Sequence, residues 1–154
     1  MDSLPVTQET YDKLVKSLEN LKKVTRPRVL QELIDARAQG DLSENAEYSA
    51  AKEELAKIDA EMPVLEDQIA RAKVIKFDTN SDVIKFGATV TVKNVKTGKE
   101  IVYQLVSPEG VDAINGKISF TSPIGKALMG ASRGKTVSVT TPRGVNQFEI
   151  LDFK

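Results

Sequence analysis

Apolar positions recur at helical spacing through the first half of the chain and alternate with polar ones through the second. Leu14, Leu18 and Leu21 fall at i, i+4 and i+7, one stripe of a helix that begins near Thr7. Thr25-Arg26-Pro27 reads as a restart, with Pro27 in a first turn, where its missing N–H costs nothing. Leu30, Leu33, Ile34 and Arg37 carry the pattern to Ala38. Nine residues separate Leu21 from Leu30 where a heptad needs seven, so the stripe is reset and a kink or short gap is expected at residues 23–27.

A second helix has the cleaner pattern. Tyr48, Ala51, Leu55, Ile58, Met62, Leu65, Ile69 and Ala72 are spaced alternately by three and four residues, a heptad seam whose remaining positions are mostly charged or alanine. Pro63 removes one backbone hydrogen bond and predicts a bend. From Glu44 to Lys73 this helix is about 45 Å long at 1.5 Å per residue. The two arms predict an antiparallel helical hairpin, close-packed where the small Ala51 and Ala72 meet the partner arm, with residues 40–48 at its tip.

Residues 76–83 are polar and rich in turn formers and read as a linker. Beyond them the period is two. Strands are predicted at 88–95 and 99–106, joined by a turn at Lys96-Thr97-Gly98-Lys99. Further strands are predicted at 117–121, 135–141 and 146–153, the last two joined across Arg143-Gly144. Ser122 as N-cap, Pro123 at the first helical position and Gly130 past the end mark a short helix. The fold class expected is α+β. Residues 1–75 form a helical hairpin, 76–83 a linker, and 84–154 a small antiparallel sheet of about five strands with one helix.

Composition narrows the chemistry. The 154 residues include no His, Cys or Trp, which removes a catalytic imidazole, a thiolate nucleophile, a disulfide framework and an ordinary zinc site. A metal here would be held by oxygen, pointing to Mg²⁺ or Ca²⁺. No apolar run approaches the length of a membrane span and the N-terminus lacks the pattern of a signal peptide, so a soluble cytoplasmic protein with no membrane partner is expected. A monomer is expected as well. The formal charge of zero hides a split. Residues 1–75 carry 11 Lys and Arg against 15 Asp and Glu, a net of −4, and residues 76–154 carry 11 against 7, a net of +4. An acidic hairpin argues against simple phosphate-backbone binding through that half.

At the tip, Asp41 and Glu44 admit two readings. Asp at an N-cap with Glu three residues on is a variant of the capping box. Alternatively, two exposed carboxylates are offered to a cation; alone they make a poor Mg²⁺ site, but they could complete one whose other ligands belong to a partner. Arg37 and Lys52 flank the tip, either as surface ion-pair partners or as contacts to a phosphate. The Ser122-Pro123-Ile124 turn reads as a capped helix start, or else Ile124, Leu128 and Met129 give a surface apolar patch for a protein partner. No nucleophile–base pair and no phosphate-binding glycine loop is visible.

The run Gly40-Asp41-Leu42-Ser43-Glu44-Asn45-Ala46-Glu47-Tyr48, followed by Ala50-Ala51-Lys52-Glu53, resembles the signature of the bacterial transcript cleavage factors of the GreA type. Phe86-Gly87-Ala88-Thr89-Val90-Thr91-Val92 and the segment from Ser122 to Gly130 resemble that family's C-terminal domain, so the resemblance spans essentially the whole chain. It implies a coiled-coil hairpin and an FKBP-like C-terminal domain. It further implies docking at the secondary channel of RNA polymerase, with the hairpin reaching toward the active site. Asp41 and Glu44 would hold the second catalytic Mg²⁺ and orient its water, so that the polymerase hydrolyses the backtracked 3′ end of the RNA. Arg37 and Lys52 would contact that RNA, Lys52 standing where such factors often carry Arg, and the turn at Ser122 would dock on the polymerase. The protein would activate another enzyme and have no activity alone.

Alternatives from other classes are a channel binder that inhibits polymerase without cleavage, which would carry a different acidic array. A hairpin chaperone would expose an apolar tip. A prolyl isomerase would need an aromatic pocket, for which residues 84–154 offer only Phe86, Tyr103, Phe120, Phe148 and Phe153.

Overall fold

The computed structural model describes residues 2–40 and 45–154. The chain divides into two compact units, one of Met1–Leu4 with Tyr11–Ala72 and the other of Pro5–Thr10 with Lys73–Lys154. A short strand β1 (Leu4–Val6) pairs with β2 (Ala72–Val74) as a separate two-stranded sheet.

The first unit is the helical hairpin. Its first arm runs as α1 (Gln8–Asn20), a π-helical stretch Leu21–Thr25, and α2 (Arg26–Arg37). The kink or gap expected at residues 23–27 is instead this π stretch, with the helix continuous through it. The Arg26 N–H donates to the Leu21 carbonyl, five residues back, and the Asn20 side chain reaches Thr25 Oγ1 at 3.4 Å across the same wide turn. A regular α-helix would press the Pro27 ring against the Lys23 carbonyl, and the wider turn relieves that clash.

The π stretch also sets which residues face inward. Leu14, Leu18, Leu21, Thr25, Val29, Leu33 and Ala36 are buried or half-buried, so the seam passes through Val29 and not Leu30. Leu21 to Val29 is eight residues where a heptad has seven, and the widened turn takes up the extra one. Leu30 and Ile34, expected on the seam, are 37% and 53% exposed.

The second arm is α3 (Ala46–Arg71), 26 residues or about 39 Å, and it continues unbroken through Pro63. All eight residues of its sequence seam are buried or half-buried, with Ala51, Ile58 and Leu65 most deeply, although Ala72 lies just past the helix in β2. Ion pairs cross between the arms at Lys22–Glu66 (3.3 Å), Arg26–Asp59 (2.9 Å) and Arg28–Glu54 (3.4 Å). The Asp59 carboxylate raises the Arg26 pKa by its hydrogen bond and then its charge. These exposed pairs help set the register of the arms, and the apolar seam provides most of the stability.

The second unit holds a five-stranded sheet of order β5-β4-β3-β7-β6, built from β3 (Thr89–Asn94), β4 (Glu100–Val106), β5 (Lys117–Ser119), β6 (Thr136–Thr141) and β7 (Gly144–Phe153). The hairpin and FKBP-like sheet of the expected α+β class are present, with one correction. The sheet is antiparallel at β3–β4, β3–β7 and β6–β7 but parallel at β4–β5, so it is mixed. The chain leaving β4 passes through two short 3₁₀ turns, Pro108–Gly110 and Ala113–Asn115, which carry it back to Gln104 before β5 runs alongside the last three residues of β4.

The β3–β4 turn is closed by Asn94, whose side-chain oxygen accepts from the backbone N–H of Lys96 and Thr97. Gly98 takes the left-handed conformation there, at φ +76°. Val90, Val92, Leu105, Ile150 and Phe153 form one face of the sheet, covered by Ile84 and by Leu128 of a short helix α4 (Pro123–Leu128). Each fully buried side chain of this size contributes about 1.5–3 kcal/mol. Within residues 76–83, Phe77 packs edge-on against Phe153, with ring centres 6.1 Å apart. Among the described residues no helix is long and apolar enough to cross a membrane.

Candidate functional site: the hairpin end

The end of the hairpin is built from two helix termini. α2 finishes at Arg37, with the Ala38 N–H returning to the Ile34 carbonyl (3.1 Å) and the Gln39 N–H to the Ala36 carbonyl (3.2 Å). Gly40 follows at φ +111°, a backbone conformation that a side chain would strain. α3 begins at Ala46 with Asn45 as its N-cap. Asn45 is extended at φ −88° and ψ 98°, and its side-chain oxygen accepts from the Tyr48 N–H at 3.0 Å.

That start corrects the capping alternative for the acidic pair. The sequence placed the helix start at Glu44, with Asp41 as a candidate cap; the helix starts two residues later and Asn45 occupies the cap. Asp41 and Glu44 themselves lie outside the described residues. Sequence reasoning missed Asn45, although Asn ranks with Asp among the best N-caps and stands three residues before the N–H it accepts.

Arg37 is the last residue of α2 and is exposed. Lys52, also exposed, lies one turn beyond Tyr48 on α3, its Nζ 5.8 Å from the centre of the Tyr48 ring. The two sides of the hairpin end differ in charge. On one side Glu32, Asp35, Glu47 and Glu54 line a groove of about 350 Å³ floored by Ala36 and Ala51. Arg28 offsets part of that charge, pairing with Glu32 at 3.0 Å and with Glu54 at 3.4 Å. Arg26, Leu30, Ile34 and Arg37 follow one another by four, four and three residues, which puts them in a row along another face of the same arm. Arg37 therefore belongs to a basic and apolar row, and the acidic groove lies elsewhere on the arm.

In the second unit Ser122 caps α4, its hydroxyl accepting from the Gly125 N–H (3.1 Å) while donating to the Ser119 carbonyl (2.6 Å). Ile124 is half-buried and packs against the sheet core. Pro123 is the exposed member of the three. A Cβ at Gly125 would sit 2.1 Å from the Ser119 carbonyl oxygen, so only glycine permits this close turn. Among the described residues no group of three or more carboxylates is arranged to hold a metal ion.

Comparison with known proteins accounts for both units. The family model described as transcription elongation factor, N-terminal, matches residues 4–74, and the model for the C-terminal region of transcription elongation factor GreA/GreB matches residues 79–154. The chain belongs to the GreA/GreB transcription elongation factor family. A transcription elongation factor GreA of Syntrophus aciditrophicus is 46% identical over 153 residues, covering 99% of this chain and 95% of its own. The GreA of Pelobacter propionicus is 42% identical over 153 residues, covering 99% and 97%. Among solved structures, the GreA factor homolog 1 of Thermus thermophilus is 28% identical over 99% of both chains, with a TM-score of 0.44.

Proposed function

We propose that this GreA/GreB family member binds RNA polymerase at the secondary channel and stimulates hydrolysis of backtracked RNA 3′ ends, with Asp41 and Glu44 as the working carboxylates. The observation that carries this reading is the cap of α3. Asn45 already satisfies the helix terminus, so an acidic pair a few residues ahead of it is not needed as a cap and is left for other chemistry.

The donor set suits a hard cation. Two carboxylates are too few for a complete octahedral Mg²⁺ site, and the described residues add no further cluster, so the remaining ligands would come from the polymerase. When bound there, a second Mg²⁺ would lower the pKa of an attacking water and stabilise charge on the displaced oxygen. The protein's own residues have narrower tasks. Asp41 and Glu44 supply negative oxygen at the end of an arm about 39 Å long. Arg37 and Lys52 present positive charge to the RNA backbone, and Pro123 and its neighbours in the turn at Ser122 form the docking surface. The hydrolytic centre belongs to the polymerase, and this chain activates it.

The deciding experiment adds the protein to a stalled, backtracked elongation complex and follows release of short 3′ RNA fragments. Fragments that appear only with the factor and Mg²⁺ support the reading. Polymerase binding that slows transcription without fragments would favour an inhibitory channel binder.

A further inference from the structure

The Asn45 side chain does more than cap α3. Its Nδ2 donates to the Ala36 carbonyl at 2.6 Å, while its Oδ1 accepts from the Tyr48 N–H at 3.0 Å. Ala36 lies in the last turn of α2, where its carbonyl lacks the usual donor four residues on and accepts from the Gln39 N–H as well, and Tyr48 is the third residue of α3, where N–H groups have no helical partner. One half-buried amide thus joins the outgoing end of one arm to the incoming end of the other. The partners fix its orientation, because the Tyr48 N–H can only donate and the Ala36 oxygen can only accept. Aspartate would cap as well but would turn a second oxygen toward Ala36. Serine would cap with a shorter side chain and a single polar atom.

We propose that Asn45 is a positioning residue for the hairpin end, holding the end of α2 and the start of α3 at a fixed separation on which the work of Asp41 and Glu44 depends. This rests on the cleavage reading given above. The Asn45 clamp bounds the segment 41–44 on its C-terminal side, directly after Glu44, and ties it to Ala36 on the other. With the amide intact the span that those four residues and Gly40 must bridge is set. With the donor lost the helices keep their caps but the span does not.

The test uses the full-length protein with Asn45→Asp and Asn45→Ser, each of which retains a capping oxygen and loses the donor. Asp41→Asn and Glu44→Gln are run alongside. The rate of 3′-fragment release is measured at saturating factor, together with the factor concentration that half-saturates polymerase. The expected result is a fall of about tenfold or more in the saturating rate for both Asn45 variants, with the half-saturating concentration unchanged and normal helicity by circular dichroism. Protection of the Asn45 side-chain amide protons from exchange in the free wild-type protein is expected as an activity-independent readout. Wild-type saturating rates from the Asn45 variants, with Asp41→Asn and Glu44→Gln impaired, would overturn the positioning role and leave the cleavage reading intact. Wild-type rates from Asp41→Asn and Glu44→Gln would overturn the cleavage reading and this role with it. Unfolding of both Asn45 variants would make Asn45 a stability residue and equally overturn its role in positioning.

Discussion

Val29 and Leu30 are neighbours on the first arm, yet Val29 is completely buried against the hairpin seam while Leu30 is 37% exposed. A regular heptad count does not select between them; the π stretch at Leu21–Thr25 does. Val29→Ala is therefore expected to destabilise the protein by about 1.5 kcal/mol, from two methyl groups at about 0.8 kcal/mol each. Leu30→Ala should stay within about 0.5 kcal/mol of wild type. Urea unfolding of both variants checks the order, and a larger loss at Leu30 would mean that the seam runs through the other residue.

The acidic pair is tested by isosteric amides. Asp41→Asn and Glu44→Gln remove the charge a Mg²⁺ ligand needs and, with Asn45 holding the cap, should leave helicity unaltered. Each is expected to bind polymerase like wild type and to lose about tenfold or more of the stimulated cleavage rate, partly restored by raised Mg²⁺. Fragment release at saturating factor over a Mg²⁺ titration measures both effects.

For the basic residues, Arg37→Ala should weaken cross-linking to the RNA 3′ end with little change in polymerase binding. Lys52→Arg should maintain or strengthen it, since a guanidinium adds a bidentate phosphate contact and still stacks on the Tyr48 ring. Unaltered cross-linking by Arg37→Ala at moderate salt would reduce that arginine to a surface charge.

At the proposed docking turn, architecture and contact separate by residue. Ser122→Ala removes the α4 cap and should cost about 1 kcal/mol of stability. Pro123→Glu, at an exposed position, should leave unfolding unaltered and weaken competition for polymerase. Loss of stability without loss of binding in both would argue for another docking surface.

Burial raises the Tyr103 pKa above its ordinary value of 10.0. The folded state thus holds the phenol proton more tightly than the unfolded one. The associated stability is complete below the unfolded pKa and is lost as pH rises through the folded one. Tyr103→Phe should therefore lose less stability than wild type when thermal unfolding is compared between pH 8 and pH 11. Parallel curves for the two proteins would show that ionisation of Tyr103 does not contribute.

The sequence alone determined the parts governed by local spacing. The seam of α3 was readable because each of its residues, from Tyr48 to Ala72, follows from one helical period. The β3–β4 turn was readable because Gly98 supplies a conformation that other residues avoid. The acidic pair, Arg37 and Lys52 were singled out by residue type and by resemblance to a family to which the chain does belong. Tertiary structure decided what depends on a partner element. Pro27 announced a break, but whether the helix would stop, kink or widen depended on keeping Val29 and Ala36 against the other arm. The parallel pairing of β4 with β5 depended on the path of the intervening turns, which alternation along a strand does not encode. Asn45 could be seen as an N-cap, but its hold on the Ala36 carbonyl exists only once the arms lie antiparallel, because the two hydrogen-bonding partners sit on different helices.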